Sequence, residues 1–374
     1  MNSRKTLGTL LCTILVLAAS SAVAFGQQDP AAYRLVAGDS EESPPMNSQS
    51  HVYQSPGGDC CNPGCDAGSC SPSCLQQGCC ARWTATADFI VLNRVGSVDR
   101  TLVAAQPPAS LSVPPAVEFL NANDLNQGFA AGPRVGLLRH GDCGYDLELL
   151  YYQIDGWSDS REIPQVGAYT EYFPVPGPLH IGNSRETMLF DYASRLYNAE
   201  CNVRWSPVCR VTMLAGFRYL SLQETLGEGR LFTGASAATT LYPDWITNAR
   251  NDLYGFQVGA DGLIYDCGCF SVDGLFKAGV FGNHAVQSTI AVNTGPLTGS
   301  TNHVSFLGEV GVQCKYQVTR GLALRAGYEA MWLQGVALAP GQIDQTNVIT
   351  GDAGINTNYG VFYHGATAGL EYTF

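Results

Sequence analysis

The stretch "HGATAGLEYTF" (residues 364–374) alternates along almost its whole length. Phe362, Ala366, Ala368, Leu370, Tyr372 and Phe374 share one parity, while Gly365, Thr367, Gly369, Glu371 and Thr373 hold the other. Only His364 disturbs the pattern. Successive side chains of a strand point to opposite faces, so this is a strand with one apolar face and one polar or small face. A strand kept in pairing to its last residue suggests a sheet with no free edge.

Nine further segments share this alternation. "RWTATADFIVLN" sets Trp83, Ala85, Ala87, Phe89 and Val91 against Thr84, Thr86 and Asp88. "YGFQVGADGLI" sets Tyr254, Phe256, Val258 and Ala260 against Gln257, Gly259 and Asp261. The others begin near residues 131, 145, 196, 211, 270, 304 and 322. Their connections alternate between short ("GDCG", "WSPVC", "DCGC", "QVTR") and long (94–128, 156–186, 225–251, 283–302, 335–358). Outer-membrane barrels have short periplasmic turns and long external loops. The expected fold is therefore all-β: an antiparallel transmembrane β-barrel of ten strands, or twelve if a long loop hides another pair, with short periplasmic turns and long extracellular loops. A secreted β-sandwich is the rival, because alternation alone does not say which face meets water. Aromatic residues near strand ends (Trp83, Tyr145, Trp205, Tyr265, Tyr316, Trp332, Tyr372) favour the barrel, whose interfaces carry aromatic girdles.

Composition agrees. Charged residues make up 14% of the chain and there are 42 glycines, which argues against long solvated helices. The net charge of −12 makes nucleic acid an unsuitable partner. Residues 1–24 read as a secretory signal: Arg4 and Lys5, then "LGTLLCTILVLAASS", then Ala22–Ala24 as a small-residue cleavage site. Beyond it no apolar run approaches the roughly 18 residues a membrane helix needs. Residues 25–81 read as a disordered leader with a Cys-rich segment at 60–80, and residues 82–374 as the barrel. The expected location is the bacterial outer membrane, with the lipid bilayer as the immediate partner.

The segments "SRLYNAECNVRW" (194–205) and "AGFRYLSLQETL" (215–226) resemble a family of outer-membrane β-barrel porins of planctomycete bacteria. The signal, the Cys/Pro/Gly-rich leader and the final aromatic strand extend the resemblance over most of 82–374. It implies an outer-membrane barrel, with no known substrate and no catalytic residue. Leu370, Tyr372 and Phe374 look like the insertion signal of such proteins, which would make the barrel assembly machinery a transient partner.

A barrel of this kind turns Asp88, Arg134, Asp146, Glu148, Asn198, Glu200, Asn202, Arg204, Arg218, Glu224, Asp261, Asp273, Lys277, Glu309, Arg325, Glu329 and Glu371 inward. Two uses of that set stand open. Eight-stranded barrels are filled by side chains while those of 16–18 strands hold a channel, so a narrow lumen can be plugged by its own ion pairs, leaving a structural or adhesive envelope barrel. Alternatively the acidic excess favours a porin-like lumen that passes small cations or solutes. Neither needs a cofactor or a metal. With no nucleophile–base pair in view, the chain does not read as an enzyme.

Fourteen cysteines complete the reading. Seven lie in the leader: Cys60, Cys61, Cys65, Cys70, Cys74, Cys79 and Cys80. Their spacing lacks the C-x2-C or histidine pattern of zinc sites, and an exported chain meets an oxidising compartment. They are disulfide candidates, as are Cys201 and Cys209, which flank one hairpin. Local staples and cross-links to neighbouring envelope proteins are both consistent with an odd number of thiols.

Overall fold

The computed structural model describes residues 83–105, 117–141, 144–164, 169–171, 186–208, 210–233, 239–292 and 294–374. The signal, the leader and the cysteines of 60–80 lie outside them. In chain order the strands are β1 (Trp83–Val95), β2 (Thr101–Ala105), β3 (Val117–Asn121), β4 (Phe129–Arg139), β5 (Tyr145–Pro164), β6 (Tyr169–Glu171), β7 (Glu186–Val208) and β8 (Val211–Thr233). They continue with β9 (Thr239–Cys267), β10 (Phe270–Ala291), β11 (Leu297–Gln317), β12 (Leu322–Val336), β13 (Thr346–Asn347), β14 (Asp352–Ala353) and β15 (Tyr359–Thr373).

Ten strands close into an antiparallel barrel in the order β1-β15-β12-β11-β10-β9-β8-β7-β5-β4. Closure is made by β1, which pairs with β4 on one side and β15 on the other, so that Phe89 stands opposite both Pro133 and Ala368. The seam is held to its end: Trp83 N donates to Phe374 O at 3.1 Å and Phe374 N to Trp83 O at 2.9 Å. A closed sheet leaves no edge for another chain to extend. No helix among the described residues is long and apolar enough to cross a membrane; the crossing elements are strands.

In the lower wall the apolar parity faces out. Phe256 is 76% exposed, and Phe89, Val135, Val258, Phe276, Val310, Leu324 and Leu370 stand out beside it. The Tyr, Phe and Val rows are thus on the exterior, as a bilayer requires and a sandwich forbids.

The strands run much further than the alternating segments indicated. β9 has 29 residues and β7 and β8 have 23 each, against the roughly 9–11 that cross a membrane. Most of 225–251 and 283–302, expected as loops, is strand. The physical reason is a reversal of polarity at constant parity. Above Tyr219 and Tyr254 the outward residues are Gln223, Thr225, Asn248 and Arg250, and the inward ones are Leu222, Leu226, Trp245 and Ala249. Outside the membrane the wall meets water on its exterior and keeps an apolar core within, so a lipid-facing template does not detect it. A small sheet of β3-β2-β6 contributes Leu102, Val103 and Leu120 to the apolar cluster that contains Phe190, Tyr192 and Trp245.

Candidate functional site

Among the described residues, side chains from all ten wall strands converge in the lumen, and its chemistry is layered. At the end of the short turns lies a cavity of about 430 Å³. Its walls carry Asp88, Arg134, Glu148, Arg204, Asp261, Asp273, Lys277, Glu309, Arg325, Glu329 and Glu371. Most of these charges are paired between strands of the wall. Arg134 Nη2 lies 2.9 Å from Asp88 and its Nη1 2.6 Å from Glu329. Arg204 bridges Glu148 at 2.6 Å and Asp261. Lys315 and Arg325 flank Glu371 at 3.2 and 3.7 Å.

Above the cavity sits a buried lattice. The Arg218 side chain is fully buried. It donates from Nε to Asn198 Oδ1 at 2.6 Å, from Nη1 to Glu309 Oε2 at 2.8 Å and from Nη2 to the Tyr152 hydroxyl at 3.1 Å. Lys277 Nζ reaches Glu200 at 3.0 Å and Glu309 at 3.6 Å. Gln257 donates to Glu200 and to Asn202, at 2.7 and 2.8 Å. Two cations and two carboxylates cancel, and the amides occupy remaining acceptor positions, which is the condition under which buried charge is tolerated.

The next layer is apolar. Ile90, Leu92, Ile154, Leu196, Leu220, Leu253, Phe281, Leu307, Leu333 and Val361 form one buried cluster across the lumen. Backbone spacing makes room for it: a Cβ on Gly255 or Gly279 would stand 2.7 Å from the Phe281 ring. The lumen is therefore not polar throughout, contrary to expectation. Ile90, Leu92, Ile154, Leu196, Leu220 and Leu307 lie at the upper ends of the alternating segments, on the same inward parity as the charges, so the apolar layer continues that parity one step above them.

Above this layer Arg94 pairs with Glu224 and donates to the Tyr192 hydroxyl at 2.9 Å. The chain between β12 and β15 folds inward here instead of projecting outside. Its 3-10 turn, Ala339–Gln345, buries Ala339 through Ile343. Asn251 holds it by a reciprocal pair, donating to Ala337 O and accepting from Ala337 N, both at 2.7 Å. Ala339 N donates to Glu224 Oε2 at 3.0 Å, and Gln287 to Gly354 O at 2.7 Å. Arg94, Asn251, Asn283 and Gln287 were not singled out in the sequence. Each lies on the inward parity of its strand, and that periodicity is the signal that would have found them.

Asp88, Arg134, Glu148, Arg204, Asp261, Asp273, Lys277, Glu309, Arg325, Glu329 and Glu371 line the lower cavity, and Lys277 and Glu309 also join Asn198, Glu200, Asn202 and Arg218 in the lattice above it. Leu370, Tyr372 and Phe374 are exposed on the outer face, with the rings of Tyr372 and Phe374 stacked at 5.9 Å between centroids. Cys201 is a free, exposed thiol on the outer face, so the proposed pairing with Cys209 is not made; Cys209 itself lies outside the described residues. Cys201 belongs to the outward parity beside Leu149 and Phe217, which aims it away from the turn. Among the described residues no His, Cys, Asp and Glu side chains are grouped to hold a metal.

A closed antiparallel barrel with an apolar exterior and a charged interior is the porin-like fold of outer-membrane proteins. The family model described as "Putative beta barrel porin-7" matches residues 184–363, which supports placing the chain with the outer-membrane β-barrel porins and points to the outer membrane of bacteria. Similar solved structures include the outer membrane protease OmpT from Escherichia coli, 12% identical over 78% of this chain and 97% of that one, with a TM-score of 0.43. The translocator domain of the autotransporter NalP from Neisseria meningitidis is 9% identical over 81% and 91%, with a TM-score of 0.34. The toluene transporter TodX of P. putida is 8% identical over 82% and 93%, with a TM-score of 0.30. No curated protein matches the chain.

Proposed function

We propose that this protein is a structural outer-membrane barrel that works with its lumen closed and presents its upper wall and loops at the cell surface. The observation that carries the reading is the stack of three seals: the Arg218 lattice, the apolar layer around Phe281, and the inward-folded turn held by Asn251. Hydrated ions do not cross a filled apolar layer, because nothing there replaces their water. The chain is not an enzyme on this reading, since the buried Arg218, Lys277, Glu200 and Glu309 neutralise one another. The barrel assembly machinery handles Leu370, Tyr372 and Phe374 during insertion, and the leader cysteines tie the barrel to neighbouring envelope proteins.

Planar-bilayer recording of the purified protein tests the closed lumen. No discrete current steps are expected; stable steps in symmetric salt would overturn it in favour of a small cation or solute pore, a reading supported by the charged cavity at the end of the short turns. Non-reducing gels of envelope fractions test the tethering: a ladder that collapses with reductant is expected, and a lone monomer band rejects it.

A further inference from the structure

The outer wall records where the bilayer surface lies. Tyr151, Tyr197 and Tyr219 have rings at the top of the apolar belt and hydroxyls turned to polar residues. Tyr151 donates to Gln153 at 2.7 Å, Tyr197 to Asp155 at 2.8 Å and Tyr219 to Asp252 at 2.9 Å. The Tyr219 and Tyr254 rings contact each other at 4.9 Å between centroids. Such half-apolar, half-polar rings sit at headgroup level in membrane proteins. On β15, Phe362 and Tyr372 are about ten residues apart, which at a tilt of about 40° spans the apolar band of about 25 Å.

Immediately above the tyrosines one hydrogen-bonded row runs Arg195, Gln223, Arg250 across β7, β8 and β9. The two arginine side chains are 62% and 55% exposed. Their strands are two spacings apart, about 10 Å, and the tilt sets Arg250 about 6 Å higher. The Arg250 side chain turns toward Asp252, two residues closer to the belt, with Nε 2.8 Å and Nη2 3.2 Å from its carboxylate. Arg195 lies 3.9 Å from Asp155, beyond hydrogen-bond reach. Each guanidinium has five donors, so these contacts leave donors over. The opposite seam differs: its upper edge presents Val95, Trp332 and Phe362, the last two in ring contact at 5.1 Å.

We propose that the outer face of β7–β9 holds the anionic phosphate headgroup of an outer-leaflet lipid, with Arg195 and Arg250 as its cationic partners and the tyrosines beneath packing its upper acyl chain. The inference rests on the outer-membrane placement but not on the closed lumen. Three points favour a lipid: the row adjoins the exposed apolar belt, guanidinium matches phosphate in charge and geometry, and the opposite seam carries aromatic and aliphatic side chains at its upper edge instead.

The test is native mass spectrometry of the full chain in maltoside micelles titrated with phosphatidylglycerol. Wild type is compared with Arg195→Gln/Arg250→Gln and with Arg161→Gln/Arg320→Gln, which removes equal charge elsewhere; heat-modifiable gel migration verifies folding of each. Wild type is expected to retain a discrete lipid adduct. The first variant should bind about tenfold more weakly, the loss expected for charge-assisted hydrogen bonds, and the control should change less than about twofold. Equal binding by wild type and the first variant, equal loss in the control, or no adduct at all would overturn the proposal. So would competition by inorganic phosphate at matched concentration, which marks a free-anion site, or a change of oligomeric state in the first variant without lipid, which marks a protein interface. Bilayer conductance has no bearing on any of these outcomes, so the two proposals fail separately.

Discussion

Replacing Arg218 by methionine should be among the most damaging single changes in the lumen. Arg218, Lys277, Glu200 and Glu309 sum to zero charge in a region where the Arg218 and Glu200 side chains have no exposed surface. Methionine fills most of the arginine's volume but leaves two carboxylates facing one ammonium, with Lys277 at 3.0 and 3.6 Å from them. It also removes the donors now serving Asn198, Glu309 and Tyr152. Breaking a buried ion network by deleting one partner costs about 3–5 kcal/mol. With a urea slope of about 2–3 kcal/mol/M, the unfolding midpoint should fall by about 1–2 M. The assay is reversible urea unfolding in micelles, followed through the five tryptophans. A second substitution, Glu309→Gln, restores neutrality and should recover at least about half of the loss. A cost under about 1 kcal/mol, the size typical of exposed pairs, or no recovery in the double variant, would mean that water already screens these charges and the lattice is no seal.

Three further outcomes follow. Val310→Arg, on the lipid face near the middle of the belt, should cost about 2–4 kcal/mol in folding into bilayers, while Gln313→Arg, facing the lumen cavity, should cost much less; equal tolerance would contradict the orientation of the wall. Asn251→Ala strips both hydrogen bonds from Ala337 and should destabilise the inward turn by about 1–3 kcal/mol, seen as faster protease cleavage within 336–358 while the wall stays intact. Gly279→Ala places a Cβ 2.7 Å from the Phe281 ring and 3.0 Å from Phe256 O, and should lower the urea midpoint by an amount corresponding to about 1–3 kcal/mol of overpacking.

Much of the lower barrel was legible because its two environments differ sharply. Lipid outside and charge inside force an alternation that segments such as 254–264 display residue by residue, and the count of ten strands follows from them. The upper wall was legible only in part. Leu222, Glu224 and Leu226 point inward while Gln223 and Thr225 point out, which is the same period with its polarity exchanged, so a search for apolar-out segments stops at Tyr219. The turn at Ala339–Gln345 carries no such period, and its residues look like those of any Pro/Gly-containing loop. Its destination inside the barrel depends on Asn251, Glu224 and Gln287, which are far away in the chain.

Sequence alone determined an antiparallel all-β chain of ten strands and favoured the barrel over the sandwich, because a period of two, short turns alternating with long ones and aromatic ends are local properties written in neighbouring residues. Tertiary structure decided what fills the lumen. That depends on which inward side chains from ten different strands meet at one height, and height is set by strand tilt and register, which no single strand encodes.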